Sequence, residues 1–264
     1  MIAGKYAEND IAIYGEIIRL SRLGSASALA TVIENAGSSP RKVGAKMLVR
    51  GDGSIMGSVG GGQVEKEVIA AALVAMQDGK PWTADFKLTE PYGHVCGGSM
   101  RVYLEPNRVE HKLVIVGAGH VGTALTALAR FAGYHVTVLD ERKEFANPEL
   151  LPEANEIFAE PPGKALSRIE VHAATAIVIA TPDFEQDFDA VRAALKTAAG
   201  YIGLIGSKRK KEVLAATLLR EGYGADQIAR VTIPAGLAIT AETPQEIAVS
   251  IIAQLIQQRR GSAA

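Results

Sequence analysis

The fold is decided by the stretch Val116-Gly117-Ala118-Gly119-His120-Val121-Gly122, which matches the pattern G-x-G-x-x-G. The apolar run 112–116 before it is typical of a buried strand, and residues 123–132 after it have helical spacing. In that context Gly117 permits a tight turn, Gly119 lets the backbone approach a phosphate, and Gly122 lets helix and strand pack closely. The stretch therefore predicts the phosphate loop of a Rossmann fold.

Asp140 directly follows the next apolar run, residues 135–139. An acid at this place hydrogen-bonds the adenosine ribose in dinucleotide-binding proteins, and its charge favours NAD over NADP. The neighbouring Arg142 favours the opposite choice, so both stay open, and His120 is a further candidate contact. The alternative is a glycine turn that serves packing alone or binds another phosphate-bearing ligand.

The remainder of this half alternates apolar runs with helical patterns. Strands are predicted at 156–159, 176–180 and 201–205, and helices at 188–199, 208–221 and 243–258. This alternation predicts a parallel sheet with helices on both faces. The expected fold class is α/β: a Rossmann-like C-terminal domain over residues 108–264, ending in an amphipathic helix.

A smaller mixed α+β domain is predicted over residues 1–107, because Pro106 and Asn107 interrupt the pattern at its end. Its elements are a helix at 10–23, strands at 28–34, 45–49, 86–88 and 100–104, a short strand after residue 53 and a helix at 63–77.

Gly60, Gly61 and Gly62 lie directly before the second of these helices. Bare backbone N–H groups at the positive end of a helix bind anions, and the nearby segment with Ser39 and Arg41 could add donors and charge. Glu65 lies in the first helical turn, where it would cap the helix or pair with its dipole. The competing interpretation of the cluster is a glycine-rich hairpin turn.

Cys96 is the only cysteine in 264 residues, and it lies between His94 and the pair Gly97-Gly98. Small neighbours leave a sulfur accessible, and a nearby histidine could favour the thiolate, which is a nucleophile and a soft metal ligand. The alternative is a buried small hydrophobe.

Composition excludes several classes of function. The formal net charge is −1, so nothing indicates binding to nucleic acid or to an anionic membrane, and no run is long enough to span a bilayer. A single cysteine allows no intramolecular disulfide, and the first thirty residues are unlike a signal peptide. We expect a cytoplasmic protein.

Several motifs follow one another along the chain: residues 37–41, 44–47, 57–65, 96–98, 117–122, 201–208, 234–237 and 243–251. In this order they resemble the XdhC/CoxI family, the accessory or maturation factors of molybdenum hydroxylases such as xanthine dehydrogenase. The resemblance covers about residues 30 to 255, and the ordered series is far more specific than any one motif.

The resemblance implies a homodimeric protein that binds the molybdenum cofactor (molybdopterin), supports its sulfuration and inserts it into a hydroxylase apoenzyme, with a cysteine desulfurase as a second partner. It implies that Cys96 lies nearest to the molybdenum or the transferred sulfur. The implied cofactor-binding residues are the two glycine-rich loops with Ser39, Arg41, Glu65, Gly97, Gly98, Gly206 and Ser207.

Three departures from the family pattern surround the Rossmann crevice. Pro182 and its neighbours replace histidines, Lys208 replaces an arginine, and the segment around Ala238 lacks an aspartate and a glycine. They keep a second hypothesis open, an NAD(P)-dependent oxidoreductase acting on a small molecule. Its candidates for proton transfer are His94, Cys96, His120 and Asp183.

Overall fold

The structure is a computed structural model that describes residues 2–37, 41–88 and 98–261. The chain divides between Val109 and Glu110 into two compact units. We call them the N-terminal unit and the C-terminal unit, and each has its own sheet and its own core.

The N-terminal unit is an antiparallel sheet with a helix on each face. Its elements are α1 (Ile2–Arg22), β1 (Ser27–Ala36), β2 (Lys46–Arg50), β3 (Ile55–Gly57), α2 (Gly62–Asp78), β4 (Trp82–Leu88) and β5 (Gly98–Pro106). The strand order is β3-β2-β1-β5-β4. Alternation along β1 explains the layering, since Ala28 and Ala30 pack in the cluster that contains α2, whereas Leu29 packs in the cluster that contains α1.

The C-terminal unit is a six-stranded sheet whose strand pairs are all parallel. Its elements are β6 (Lys112–Val116), α3 (His120–Phe131), β7 (His135–Leu139), β8 (Glu156–Phe158), α4 (Pro162–Leu166), β9 (Thr175–Ile179), α5 (Phe184–Leu195), β10 (Tyr201–Leu204), α6 (Lys208–Arg220), α7 (Ala225–Ala229), β11 (Val231–Thr232) and α8 (Pro244–Gly261). The predicted fold class is confirmed.

Both faces of this sheet are covered. Along β6, Leu113 and Ile115 enter the cluster formed with α3 and α8, and Val114 and Val116 enter the cluster formed with α4, α5 and α6. A strand buried on both sides needs a continuous apolar run, which explains the lack of polar alternation in this segment.

The strand order β11-β10-β9-β6-β7-β8 reverses direction at β6, which has β7 on one side and β9 on the other. In open parallel sheets, ligands bind outside the carboxyl ends of the strands at such a switch point. The glycine loop 117–122 leaves β6 at this place, and it contacts Ala180 and Thr181, which follow the neighbouring strand β9.

The helix predicted over 188–199 is wrong in its bounds, since α5 covers Phe184–Leu195. Asp183 caps it earlier, because its side chain accepts a hydrogen bond from the Gln186 N–H at 2.9 Å. The short elements α4, α7 and β11 were not predicted, since runs of two to five residues carry no period. Among the helices of the described residues, none is long and apolar enough to cross a membrane.

Candidate functional site

The glycine loop of the C-terminal unit is built around two positions that admit no side chain. Gly117 has φ 107°, a left-handed conformation, and a Cβ there would collide with the carbonyl oxygen of Ala180. A Cβ at Gly122 would collide with the carbonyl oxygen of Gly117. These two glycines are therefore required by the turn itself.

Gly119 is different, because the turn does not need it. Its φ of −71° and ψ of −169° suit any residue, and a Cβ there would meet nothing within 4 Å. The open space at Gly119 gives a ligand room to approach the backbone at the start of α3. His120, the first residue of that helix, is exposed beside it.

Asp140 is held by a full set of hydrogen bonds. Its Oδ2 accepts from the Ala118 N–H at 2.8 Å and from Arg142 Nη2 at 2.7 Å. Its Oδ1 accepts from the Arg142 N–H at 3.0 Å and from Arg142 Nε at 2.9 Å. A carboxylate offers about four acceptor sites, so a ribose hydroxyl could bind Asp140 only if the Arg142 side chain moved away.

The electrostatics favour the ion pair between Asp140 and Arg142. Burial raises the pKa of the Asp140 carboxyl, but hydrogen bonds from Arg142 and from the Ala118 N–H lower the pKa more, so the net pKa lies below the usual range. The guanidinium of Arg142 also lies 4.0 Å from the ring centroid of Phe145, a favourable cation–π contact. Asp140 therefore fastens the glycine loop to the end of β7.

Gly206 and Ser207 follow β10 and begin α6. The Ser207 side chain caps the helix by accepting from the Lys210 N–H at 3.3 Å. Gly206 leaves room for the Lys210 stem, because a Cβ at this position would lie 2.5 Å from Lys210 Cδ. The Lys210 ammonium pairs with Asp187 of α5.

Asp187 and Lys210 were missed by sequence reasoning. The helix predicted from residue 188 left Asp187 outside it, and a single buried acid changes no hydrophobic pattern. The signal that could have revealed Asp187 was Asp183, because aspartate is a preferred helix-capping residue. A helix that begins after Asp183 contains Asp187 and places it on its buried side.

In the N-terminal unit, the glycine cluster binds a carboxylate of its own chain. Glu65 Oε1 accepts from the Gly61 N–H at 2.9 Å and from Ser58 Oγ at 2.5 Å. The Gly60 N–H donates to Ser58 Oγ at 3.3 Å. An external anion at Gly60 to Gly62 would therefore meet the Glu65 carboxylate beside these donors.

A cavity of about 630 Å³ lies between α4 and α5, and no residue of the glycine loop lines it. Side chains of both charge signs line it, among them Asp189, Arg192 and Lys196. Arg192 is already paired with Glu221 at 2.5 Å and with Asp189 at 2.7 Å, so the arrangement shows no preference for an anion or a cation.

The predicted site residues of the N-terminal unit are only partly described. Four of the candidates lie outside the described residues: Ser39, His94, Cys96 and Gly97. Gly98 is the first residue of β5 and pairs with Leu88, and the Arg41 carbonyl oxygen accepts from Asn35 Nδ2 at 3.0 Å. Within residues 2–37, 41–88 and 98–261, no group of three His, Cys, Asp or Glu side chains could hold a metal ion.

Three curated relatives show what this chain is similar to. The "Uncharacterized protein YqeB" of Escherichia coli is 35% identical over 95% of this chain and 47% of its own length. A probable xanthine dehydrogenase subunit of Bacillus subtilis is 33% identical over 58% of this chain and 45% of its own length. The "Molybdenum cofactor insertion chaperone PaoD" of E. coli is 22% identical over 89% of this chain and 84% of its own length. The chain thus spans about half the length of the first two relatives.

A solved structure from Bacillus halodurans, described as a xanthine dehydrogenase, has the same fold. It covers 94% of this chain and 96% of its own, with 24% identity and a TM-score of 0.53. Family models match both units: "XdhC and CoxI family" over residues 20–87 and "XdhC Rossmann domain" over residues 113–255. The chain therefore belongs to the XdhC and CoxI family.

Proposed function

We propose that this chain binds the molybdenum cofactor as cargo and supports its insertion into a molybdenum hydroxylase of the xanthine dehydrogenase type. The observation that carries the proposal is the pairing of two family matches, one in each unit, with a similarity to an insertion chaperone over 89% of the chain. The B. subtilis relative, whose name refers to xanthine dehydrogenase, supports the choice of hydroxylase.

The phosphate of the cargo fits the glycine loop of the C-terminal unit. Gly117 and Gly122 maintain the turn, and the open space at Gly119 admits a phosphate to the first N–H groups of α3. The loop is therefore one candidate for the phosphate, with His120 at its edge. The second is the cluster Gly60 to Gly62, helped by Ser39 and Arg41, where Glu65 would have to turn aside.

Cys96 is assigned to the molybdenum end of the cargo. A thiolate is an anionic metal ligand and can carry a sulfur atom as a persulfide. On this proposal the chain supports sulfuration as well as insertion, and a cysteine desulfurase is the source of sulfur. Its sequence neighbours Gly97 and Gly98 carry no side chains that could screen the thiol.

The proposal is tested by loading the purified protein with molybdopterin and measuring the activation of a cofactor-free hydroxylase. The Cys96→Ala variant should activate the hydroxylase more weakly, and Ser99→Ala, an exposed position of β5, should behave as the wild type. If the wild type retains no molybdopterin, the proposed function fails. If Cys96→Ala is fully active, only the role of Cys96 fails.

The proposed organisation is a homodimer of chains with two domains, residues 1–107 and 108–264, in the cytoplasm. Light scattering of the purified protein measures the mass directly and should give twice the 27.8 kDa of one chain. Co-purification with the hydroxylase apoenzyme and with a desulfurase tests the two proposed partners.

A second candidate is an NAD(P)-dependent oxidoreductase acting on a small molecule. The complete glycine loop with its opening at Gly119 favours it, whereas the filled acceptor sites of Asp140 disfavour a bound ribose. Calorimetric titration with NAD(H) and NADP(H) tests this candidate, which fails if neither dinucleotide binds.

A further inference from the structure

Thr181, Asp187 and Lys210 form a polar cluster at the carboxyl ends of β9 and β10. Thr181 Oγ1 donates to Asp187 Oδ1 at 2.6 Å, and the Lys210 ammonium donates to Asp187 Oδ2 and to the Ile205 carbonyl oxygen at 3.3 Å. The Asp187 side chain is 1% exposed, whereas that of Lys210 is 25% exposed. The acid is thus enclosed, whereas a quarter of the Lys210 side chain remains accessible.

The cluster adjoins the glycine loop. A Cβ at Gly117 would lie against the Ala180 carbonyl and 3.1 Å from the Thr181 nitrogen, so the loop and the segment after β9 are in direct contact. Thr181 bonds Asp187, and Asp187 bonds Lys210. The ammonium is therefore connected to the glycine loop through Asp187 and Thr181, and it lies at the carboxyl edge of the sheet, where ligands of this fold bind.

One of the three N–H groups of the Lys210 ammonium is left for a ligand, among the described residues. An ammonium carries three N–H bonds, and two acceptors of Lys210 are found among the described residues, on Asp187 and Ile205. A lysine held by an acid still binds phosphate in protein kinases, where a lysine–glutamate pair positions the ammonium. The enclosed Asp187 holds the ammonium in the same way.

Stability alone explains this pair poorly. Enclosing an acid costs desolvation energy, and replacing buried ion pairs by apolar residues is often neutral or stabilising. The surrounding strands supply an apolar core on both faces that could have accepted such residues.

We propose that Lys210, positioned by Asp187, binds a phosphate oxygen of a ligand seated at the glycine loop. The site lies wholly within the C-terminal unit and goes beyond the proposed function, since it does not depend on what else the ligand carries. The phosphate could belong to a nucleotide or to another phosphate ester, and the chemistry that Lys210 recognises is the same.

Calorimetric titration of the full chain with inorganic pyrophosphate and with ADP tests the site. Lys210→Met should weaken both affinities by about tenfold or more, as expected for the loss of a charge-assisted hydrogen bond. The matched control Lys211→Met removes the same charge from an exposed position one residue away and should change the affinities less than about twofold. ADP binding tighter than pyrophosphate indicates a nucleotide, and equal binding indicates that the phosphate alone is recognised.

A second variant keeps the test decisive if Lys210→Met does not fold. Gly206→Ala adds a Cβ at 2.5 Å from Lys210 Cδ and displaces the ammonium without changing any charge, so it should also weaken pyrophosphate binding. Unchanged affinities in folded Lys210→Met or Gly206→Ala overturn the proposal and leave the pair a structural role. A wild type that binds neither probe at millimolar concentrations also overturns it. Both probes lack molybdenum and pterin, so these results are independent of the test of cofactor delivery.

Discussion

Two alanine substitutions in the glycine loop compare Gly122, which the turn requires, with Gly119, which is open to a ligand. In Gly122→Ala, the new Cβ would collide with the Gly117 carbonyl, so α3 or the turn must shift. Overpacking of this kind costs about 1–3 kcal/mol. In Gly119→Ala, the new Cβ meets nothing within 4 Å, and the backbone angles suit alanine. That substitution should stabilise the chain by about 0.4–1 kcal/mol, through a less flexible unfolded state.

The two variants are compared by urea unfolding, by thermal unfolding and by titration with pyrophosphate. Gly122→Ala should lower the melting temperature by roughly 2–4 °C per kcal/mol lost. Gly119→Ala should keep or raise the stability and yet weaken pyrophosphate binding, because its methyl group fills the opening over the α3 N–H groups. The reasoning is refuted if Gly119→Ala destabilises as much as Gly122→Ala, or if it binds pyrophosphate as the wild type does.

Two other predictions concern charged pairs. Arg142→Ala frees acceptor sites on Asp140, so calorimetry should show NAD(H) affinity rising by about tenfold, and unaltered affinity would mean that Arg142 does not exclude the ribose. Hydrogen bonds from Arg19 and Arg50 lower the pKa of Glu16 from 4.5 to about 2. Because the folded-state pKa is the lower one, this stabilisation is complete above pH 4.5 and is lost as the pH falls towards 2. Urea unfolding at several pH values should show a smaller loss over this window in Glu16→Gln than in the wild type, and equal losses would contradict the assignment.

The parallel sheet could be predicted because its signals are local. The apolar run of β6, the glycine loop and the helical spacing of α3 follow one another within 20 residues or so, and each indicates the same unit. The N-terminal sheet was recognisable from strand runs and turn residues, but its order β3-β2-β1-β5-β4 depends on contacts between distant segments.

The fine structure of the site could not be predicted for the same reason. Whether Asp140 is free for a ribose depends on the side-chain conformation of Arg142, which no spacing rule describes. The pairing of Asp187 with Lys210 joins two helices that follow different strands. The expectation that Glu65 caps its helix agrees with its bond from the N–H of Gly61, the N-cap residue of α2, whereas its bond from Ser58 Oγ was not predicted.

The central claim, that the chain carries the molybdenum cofactor, is tested most directly by releasing the ligands of the natively purified protein. Mass spectrometry identifies the organic ligand, and elemental analysis of the same sample measures molybdenum. The account predicts molybdopterin together with molybdenum. A dinucleotide without molybdenum, or no ligand at all in cells that make the cofactor, would contradict it.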